Sequence, residues 1–424
     1  MKIGLQAWGS EGDIQPFTAL AAGLVRAGHS VTLVVTDNIG RDYSDLAKRF
    51  GYQLVSVPNP QIQTAEEADR IWRQIIDLGN PIQQAELVMK HGFDPVVEAM
   101  YAAARQLCAE NDAVIGHFFV YPLRVAAEKA GVPVVTVNVV HNCIPSASIC
   151  PPGFPDLGRW SYGIGWCLVR TMVNRIFLPR VNSLRRREGL QPDTDMMSQT
   201  WASDKLNLVA VSPQICQAPP DWDARHHVCG FLNPPATLMA DDVPEDLDAF
   251  LSCGSKPVYL TFGSMMINNA DYLREVADIW EEAIRRVGCR AIMQLPWGDL
   301  SRFLSNPDVF ALRRSPYSKV FPRCSMIVHH GGAGTTQSSL LAGRPSIIVA
   351  HVSDQFFWGS ELERLGVGGK TLRRKGLNPR QLAHGISQVL TTPALTQGAI
   401  ELGKRMSNED GVRTAIHLIE KNLL

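Results

Sequence analysis

Short apolar runs alternate with amphipathic stretches along almost the whole of this chain. Ile3 to Trp8 reads as a buried strand, and Gly9-Ser10-Glu11-Gly12-Asp13 as a glycine turn. Pro16 reads as the first residue of a helix that runs to about Arg26 and is capped by Gly28. Ser30 to Thr36 reads as the next strand. The same succession returns twice. Val258 to Phe262 and the turn Gly263-Ser264 lead to a helix from about Tyr272 to Val287. Met326 to Val328 breaks at Gly331-Gly332-Ala333-Gly334, and a helix follows from Thr335 to Ala342 until Gly343 and Pro345 stop it. Further strands are predicted at Ala113 to Ile115, Val132 to Val140, Leu206 to Val211 and Ser346 to Ala350. Strands alternating with helices predict an α/β fold with parallel sheets and right-handed crossovers.

At 424 residues the chain is too long for one ordinary core and suits two Rossmann-like domains. Pro and Asp cluster between about 217 and 245 (PPDWDARHH, LNPPATLMADDVPED), which marks a linker and a division near residue 230. Ligands of such sheets bind at the carboxyl ends of the strands, so the expected site is a cleft between residues 1–230 and 231–410.

Composition narrows the partners. Lys+Arg and Asp+Glu are both 41, so no bulk attraction for nucleic acid or acidic membranes is expected. Neither a secretory leader nor an apolar run of about 18 residues is apparent, and nine scattered cysteines form no CxxC pair. The expectation is a cytoplasmic protein with reduced thiols.

Within this frame the stretch from Val328 to Gly359 carries the most chemistry. Its glycine turn and helix start would gather free N–H groups and the positive end of a helix dipole, an arrangement that suits phosphate. Asp354 and Gln355, expected in a loop after the next strand, pair an acceptor with a group that both donates and accepts, which suits neighbouring hydroxyls. Phosphate and hydroxyls on one sheet edge suggest a nucleotide sugar. His329-His330 has no acidic or cysteine partner at metal-ligand spacing. Asp221-Trp222-Asp223 has the DxD pattern of metal-dependent sugar transferases but falls in the Pro-rich linker.

Four segments in order, GSEGDIQPF, TFGSM, HHGGAGTT and SDQFFWG, resemble the GT-B glycosyltransferases of family 1, and among them the sterol glucosyltransferases and antibiotic-tailoring enzymes. The resemblance covers nearly the whole chain. It implies an inverting transferase without a metal, using an NDP-sugar, with UDP-glucose the first expectation and a dTDP-deoxysugar such as rhamnose the alternative. A non-catalytic nucleotide-sugar-binding protein of the same fold is the rival from another class. By this likeness His330, Gly332, Ala333, Gly334 and Thr335 hold the diphosphate, with Ser264 beside it and Ser10 approaching from the N-terminal domain. Asp354 and Gln355 hold the sugar, and Ser315 begins the base-binding segment. Asp13 stands where the family keeps its general base, and residues 411–424 should form a helix crossing back to the N-terminal domain.

An acceptor hydroxyl is a poor nucleophile, and a carboxylate within hydrogen-bond reach can take its proton as the new bond forms. His117, at the end of a predicted strand, is expected either as the partner of Asp13 or as an ordinary core histidine. Phe118, His141 and Asn142 are candidates for the wall of an acceptor pocket, beside the uncharged loop Asn142 to Phe154. That loop suits an apolar, hydroxyl-bearing acceptor such as a sterol, terpenoid, polyketide or lipid-like alcohol. The segment 160–187 has helical apolar spacing, several arginines, and tryptophans at its start. It reads as a helix packed on the N-terminal domain or, less favoured, as a peripheral membrane contact.

Overall fold

The structure, a computed structural model, describes the chain apart from residues 39–40, 61–64, 79, 155, 234–241, 298, 304–305 and 424. The side chains of Ala65, Glu66, Ala68, Pro81, Ser264 and Ser353 also lie outside that description. The chain divides into two compact units. One comprises Met1–Gln63, Ala85–Pro234 and Glu409–Leu424; the other comprises Thr64–Gln84 and Pro235–Asn408.

In the first unit seven strands form one parallel sheet: β1 (Lys2–Gly9), β2 (Ser30–Asp37), β3 (Gln53–Ser56), β4 (Ala113–His117), β5 (Val134–Asn138), β6 (Leu206–Val209) and β7 (His226–Val228). Their order is β3-β2-β1-β4-β5-β6-β7. Alternation along β1 feeds both faces. Ile3, Leu5 and Ala7 pack with Ile14, Phe17 and Leu20 of the helix Glu11–Arg26 and with Val412, Ala415 and Ile419 of the terminal helix Gly411–Leu423. On the opposite face Gln6 donates to the Met100 carbonyl at 3.0 Å, and Trp8 joins a second core under the helix Val97–Glu110.

In the second unit β8 (Val258–Thr261), β9 (Ala291–Gln294), β10 (Val309–Leu312), β11 (Met326–His329), β12 (Ser346–Ala350) and β13 (Leu372–Arg373) form another parallel sheet, in the order β10-β9-β8-β11-β12-β13. Val258 and Leu260 pack beneath Val276 and Trp280 of the helix Ala270–Val287, while Tyr259 faces Phe321 on the other side. The helix Ala65–Asp77 counts with this unit: Arg73 donates to Asn269 and Ile76 enters its core.

Both sheets reverse their winding once. β1 lies between β2 and β4, and β8 lies between β9 and β11. The crevices outside the carboxyl ends of β1/β4 and β8/β11 are therefore topological switch points, where open α/β sheets bind ligands.

Two local expectations are corrected. Pro16 lies inside the first helix, which starts at Glu11 because Ser10 and Asp13 cap it, five residues before the proline. Asp354 and Gln355 lie in the first turn of the helix Ser353–Arg364, not in a loop, because the Gln355 side chain accepts from the backbone at the helix start.

Candidate active site

At the β1/β4 switch point the chain leaves β1 through Gly9, whose φ of 134° is open to glycine. A side chain there would also meet the Asp13 carboxylate, with a Cβ only 2.4 Å from Oδ2. That oxygen accepts from the Ser10 N–H at 2.8 Å and from the Ser10 hydroxyl at 3.0 Å. The other oxygen, Oδ1, lies 3.6 Å from His117 Nε2 at the end of β4. His117 Nδ1 accepts from the Phe119 N–H at 3.4 Å, which leaves the proton of a neutral ring on Nε2, facing Asp13. Phe17 and Phe118 flank the buried ring, while the Asp13 side chain keeps 32% of its surface exposed. The fold thus brings Ser10, Asp13 and His117 together.

Phe118 is buried against Trp201 and Phe119, His141 is buried, and Asn142 is half-buried. The loop after Asn142 is held by Asp221, which accepts from the Ser146 hydroxyl at 2.8 Å and the Ala147 N–H at 2.6 Å. Asp223 forms a fork with Arg225 at 2.7 Å on each oxygen, which holds its carboxyl well below the usual carboxylate range. Both DxD carboxylates are thus committed to protein partners.

At the β8/β11 switch point His330 follows β11 and its ring fills a slot made by two glycines. A Cβ at Gly263 (φ 53°) would come within 2.7 Å of the ring, and one at Gly332 within 2.4 Å. Burial pushes the His330 pKa down to about 4, so the ring is neutral, and among the described residues its Nδ1 has no hydrogen-bond partner. His329 is neutral for the same reason, pushed down to about 3, and accepts the Gly331 N–H at 3.1 Å. Gly332 caps the helix Ala333–Leu341, which has neither an acidic residue in its first turn nor a side chain on its cap. The first N–H groups of the turn, at Ala333, Gly334 and Thr335, have no acceptor within the helix. A Cβ at Gly334 would meet nothing within 4 Å.

Gln355 abuts this turn, since a side chain at Gly331 would crowd its backbone carbonyl and Cβ. Gln355 is buried, and its carbonyl oxygen accepts from the N–H groups of His351 (2.6 Å) and Val352 (3.2 Å). Its amide nitrogen is the end not used by this cap, and Asp354 precedes it in the same helical turn. Sequence reasoning missed the support behind this pair. His351 Nδ1 donates to the Val349 carbonyl at 2.9 Å, so Nε2 accepts from the Tyr272 hydroxyl at 3.3 Å, and burial holds the ring neutral. The position of His351, three residues before Asp354, was the available signal. Ser315 follows β10, and its hydroxyl sits 2.7 Å from that of Tyr259, which in turn donates to Gln294 at 2.8 Å. The side chain of Ser264 is outside the described residues, although its backbone lies in the turn Gly263–Met265.

Two parallel sheets, each with a glycine turn at its switch point, define a doubly wound α/β protein of the kind that binds ligands at those points. Residues 3–140 match the glycosyltransferase family 28 N-terminal domain, and residues 282–415 match the erythromycin biosynthesis protein CIII-like C-terminal domain. Sterol 3-beta-glucosyltransferase UGT80B1 of Arabidopsis thaliana is 28% identical over all of this chain and 68% of its own length. The sterol 3-beta-glucosyltransferase of Saccharomyces cerevisiae (strain YJM789) is 27% identical over all of the chain, which spans only 35% of that protein. Among solved structures, the glycotransferase of kitacinnamycin superposes with a TM-score of 0.70 at 18% identity, covering 100% of this chain and 99% of its own. The glycosyltransferase VinC in complex with dTDP gives 0.64 at 19%, covering 99% of each chain. The chain belongs to the GT-B glycosyltransferases of family 1 and is a glycosyltransferase.

Among the described residues no three His, Cys, Asp or Glu side chains gather as a metal-ligand set, and no helix is long and apolar enough to cross a membrane.

Proposed function

We propose that the chain transfers glucose from UDP-glucose to a hydroxyl of an apolar acceptor, with inversion and without a metal. The carrying observation is the Asp13 carboxylate, partly exposed at a switch point, with one oxygen fixed by Ser10 and the other facing His117. Asp13 takes the acceptor's proton as the hydroxyl attacks the anomeric carbon opposite the diphosphate. His117 is a positioning residue, because its Nδ1 already accepts from Phe119 and its Nε2–H points at the carboxylate. On the second unit the uncapped helix start at Gly332 and the neutral His330 ring take the departing diphosphate charge, a task of aimed N–H donors. Asp354 accepts from a sugar hydroxyl, Gln355 donates to one, and Ser315 and Ser264 serve the nucleotide side.

Sterol glucosyltransferase relatives favour glucose and a sterol-like acceptor. The dTDP in the VinC complex keeps a dTDP-sugar as the second reading. The test is mass-spectrometric detection of product from UDP-glucose, dTDP-glucose and dTDP-rhamnose with a panel of sterol, terpenoid and polyketide alcohols. UDP-glucose should give a product heavier than its acceptor alcohol by one hexose residue. Asp13→Asn should lower that rate by about 10³-fold while UDP binding persists. Unchanged transfer in Asp13→Asn sinks the general-base assignment, and UDP binding with no transfer to any acceptor favours the non-catalytic reading.

A further inference from the structure

A chain of hydrogen bonds joins the carboxyl ends of β8, β9 and β10, one strand away from the β8/β11 switch point. Gln294 ends β9 and is only 8% exposed. Its carbonyl oxygen accepts from two phenols, Tyr259 at 2.8 Å and Tyr317 at 3.0 Å. Each phenol has one proton, and both protons go to that oxygen. The Ser315 hydroxyl, 2.7 Å from Tyr259, is therefore the donor in its pair, and Thr261, 3.4 Å from Tyr317, is the donor in the other. Thr261 in turn accepts from the Gly263 N–H at 3.0 Å. Burial holds both phenols above their ordinary pKa, so they stay protonated at neutral pH.

The rings that carry these donors are fixed. The buried Phe321 stacks on Tyr317 with ring centres 4.2 Å apart, and it meets Tyr259 edge-on at 5.0 Å. Two such donors set the orientation of the amide, because turning it over would require all four hydroxyls to reverse. Two groups are left on either side of the Tyr259 hydroxyl. One is the Gln294 nitrogen, which has no acceptor among the described residues. The other is the Ser315 oxygen, which keeps lone pairs but has given its proton to Tyr259. A fixed N–H donor beside a fixed acceptor suits the edge of a heterocyclic base, where such groups lie side by side.

We infer that Gln294 selects the base of the nucleotide, donating to O4 of uracil or thymine while Ser315 accepts from N3–H. Tyr259 and Tyr317 are positioning residues that aim the amide. Uracil and thymine share this edge, so the pair leaves the 5-methyl group unread and discriminates against cytosine. In the same pose cytosine sets an amino group against the Gln294 N–H groups and a bare ring nitrogen against the Ser315 oxygen. The inference rests on the nucleotide-sugar reading above and names the base within it.

Calorimetric titration of the full chain with UDP and with CDP tests this. The two share ribose and diphosphate, so the ratio of their affinities isolates the base. UDP should bind at least about tenfold more tightly than CDP. Gln294→Glu keeps an oxygen for the two phenols, so the melting temperature should hold, but it offers an acceptor where the N–H groups were. Its charge weakens both nucleotides alike, and the ratio of UDP to CDP affinity should fall at least about tenfold. The double variant Tyr259→Phe, Tyr317→Phe frees the amide to turn and should bring the ratio towards one, a change that lost packing alone does not produce. Equal or tighter binding of CDP by the parent overturns the inference, since the amide then faces the other way or reads nothing. A ratio unchanged in Gln294→Glu overturns it too, and either result leaves the diphosphate site standing. No binding of UDP overturns the nucleotide-sugar reading, and this inference with it.

Discussion

Each unit places a strand, a glycine turn and a helix N-terminus at its switch point, yet the two helix starts are treated in opposite ways. The helix after β1 is capped from within: Asp13, at its third position, accepts from Ser10, and Glu11 adds a second acid to the first turn. The helix after β11 has Thr335 at the corresponding position, no acid in its first turn and no side chain on its cap. A helix start is worth roughly half a positive charge. The first unit neutralises that charge with its own carboxylate, which the cap fixes in place. The second leaves it open, with a neutral imidazole beside it. One device thus holds a charge of the protein's own, and the other, on the proposed reading, receives an anion from outside.

The most direct way to break the contrast is to make the second helix resemble the first. Thr335→Asp puts an acid at the third position, where it can cap the Gly332 N–H and occupy the phosphate-type site. Thermal stability should hold or rise slightly, because a cap adds about 1 kcal/mol at most in such settings. Affinity for UDP should fall by more than about 100-fold, since like charge replaces an open N–H cluster. Calorimetric titration with UDP measures this; retained affinity would mean the anion site is elsewhere.

His330→Ala sharpens the electrostatic half of the comparison. Removing the ring from between Gly263 and Gly332 should lower kcat about 100-fold, the size expected for one lost donor at a departing charge. The same variant has a signature without substrate. The His330 pKa lies below its ordinary value, so an unfolded chain binds a proton that the folded chain refuses. That share of stability is intact above about pH 6.5 and is lost as pH falls towards 4, by up to about 3 kcal/mol for this ring. Urea unfolding between pH 7 and 4.5 should show a shallower decline in His330→Ala than in the parent. Equal slopes would mean that the ring is not held neutral.

Legibility in the sequence followed the same divide between open and committed groups. The strands entering both switch points were visible as apolar runs ending in glycine, because buried parallel strands need little besides apolar residues. Ser346 to Ala350 was read to the residue. The commitments of polar side chains were not visible. Pro16 suggested a late helix start, because the Ser10–Asp13 cap depends on a φ that only Gly9 supplies. Asp354-Gln355 looked like a free clamp, whereas the Gln355 carbonyl belongs to its own helix start. Asp221, part of a DxD pattern that its place in the linker set aside, latches a loop 75 residues away, a role with no local signal. Spacing predicts a helix across 160–187, and the fold gives Arg159–Arg187, with Val169 buried and its neighbour Leu168 exposed, a choice the spacing does not make. Each miss concerns which partner a polar or apolar group meets across the fold, and local sequence does not carry that information.

The first unit is tested more gently through the group behind Asp13. His117→Ala removes the Nε2 that faces Oδ1 at 3.6 Å and should lower kcat on the order of tenfold, with the donor KM unchanged, because the carboxylate stays capped by Ser10 but loses the donor nearest its other oxygen. His117→Gln, which restores an N–H of similar reach, should recover most of the loss. A collapse as deep as that of Asp13→Asn would make His117 the proton acceptor, and no effect would make it a core residue only.

Gln355 allows the smallest and cleanest separation, because its two ends do different things. Its oxygen accepts from His351 and Val352, and its nitrogen is the part left to donate. Gln355→Glu keeps two oxygens for the cap and removes the N–H, so the melting temperature should stay within about 2 °C while the donor KM rises about tenfold, as for one lost hydrogen bond of about 1.5 kcal/mol. Gln355→Ala removes both ends and should add to the same KM increase a stability loss of about 1 kcal/mol from the missing cap. If Gln355→Glu binds donor as the parent does, the residue caps a helix and nothing more, and Asp354 alone would have to hold the sugar. If instead it destabilises as much as alanine, the oxygen's partners are not the cap. The expected pattern, stability kept and donor affinity lost, would show that the second unit, too, uses one end of a capping side chain to aim the other end at a substrate.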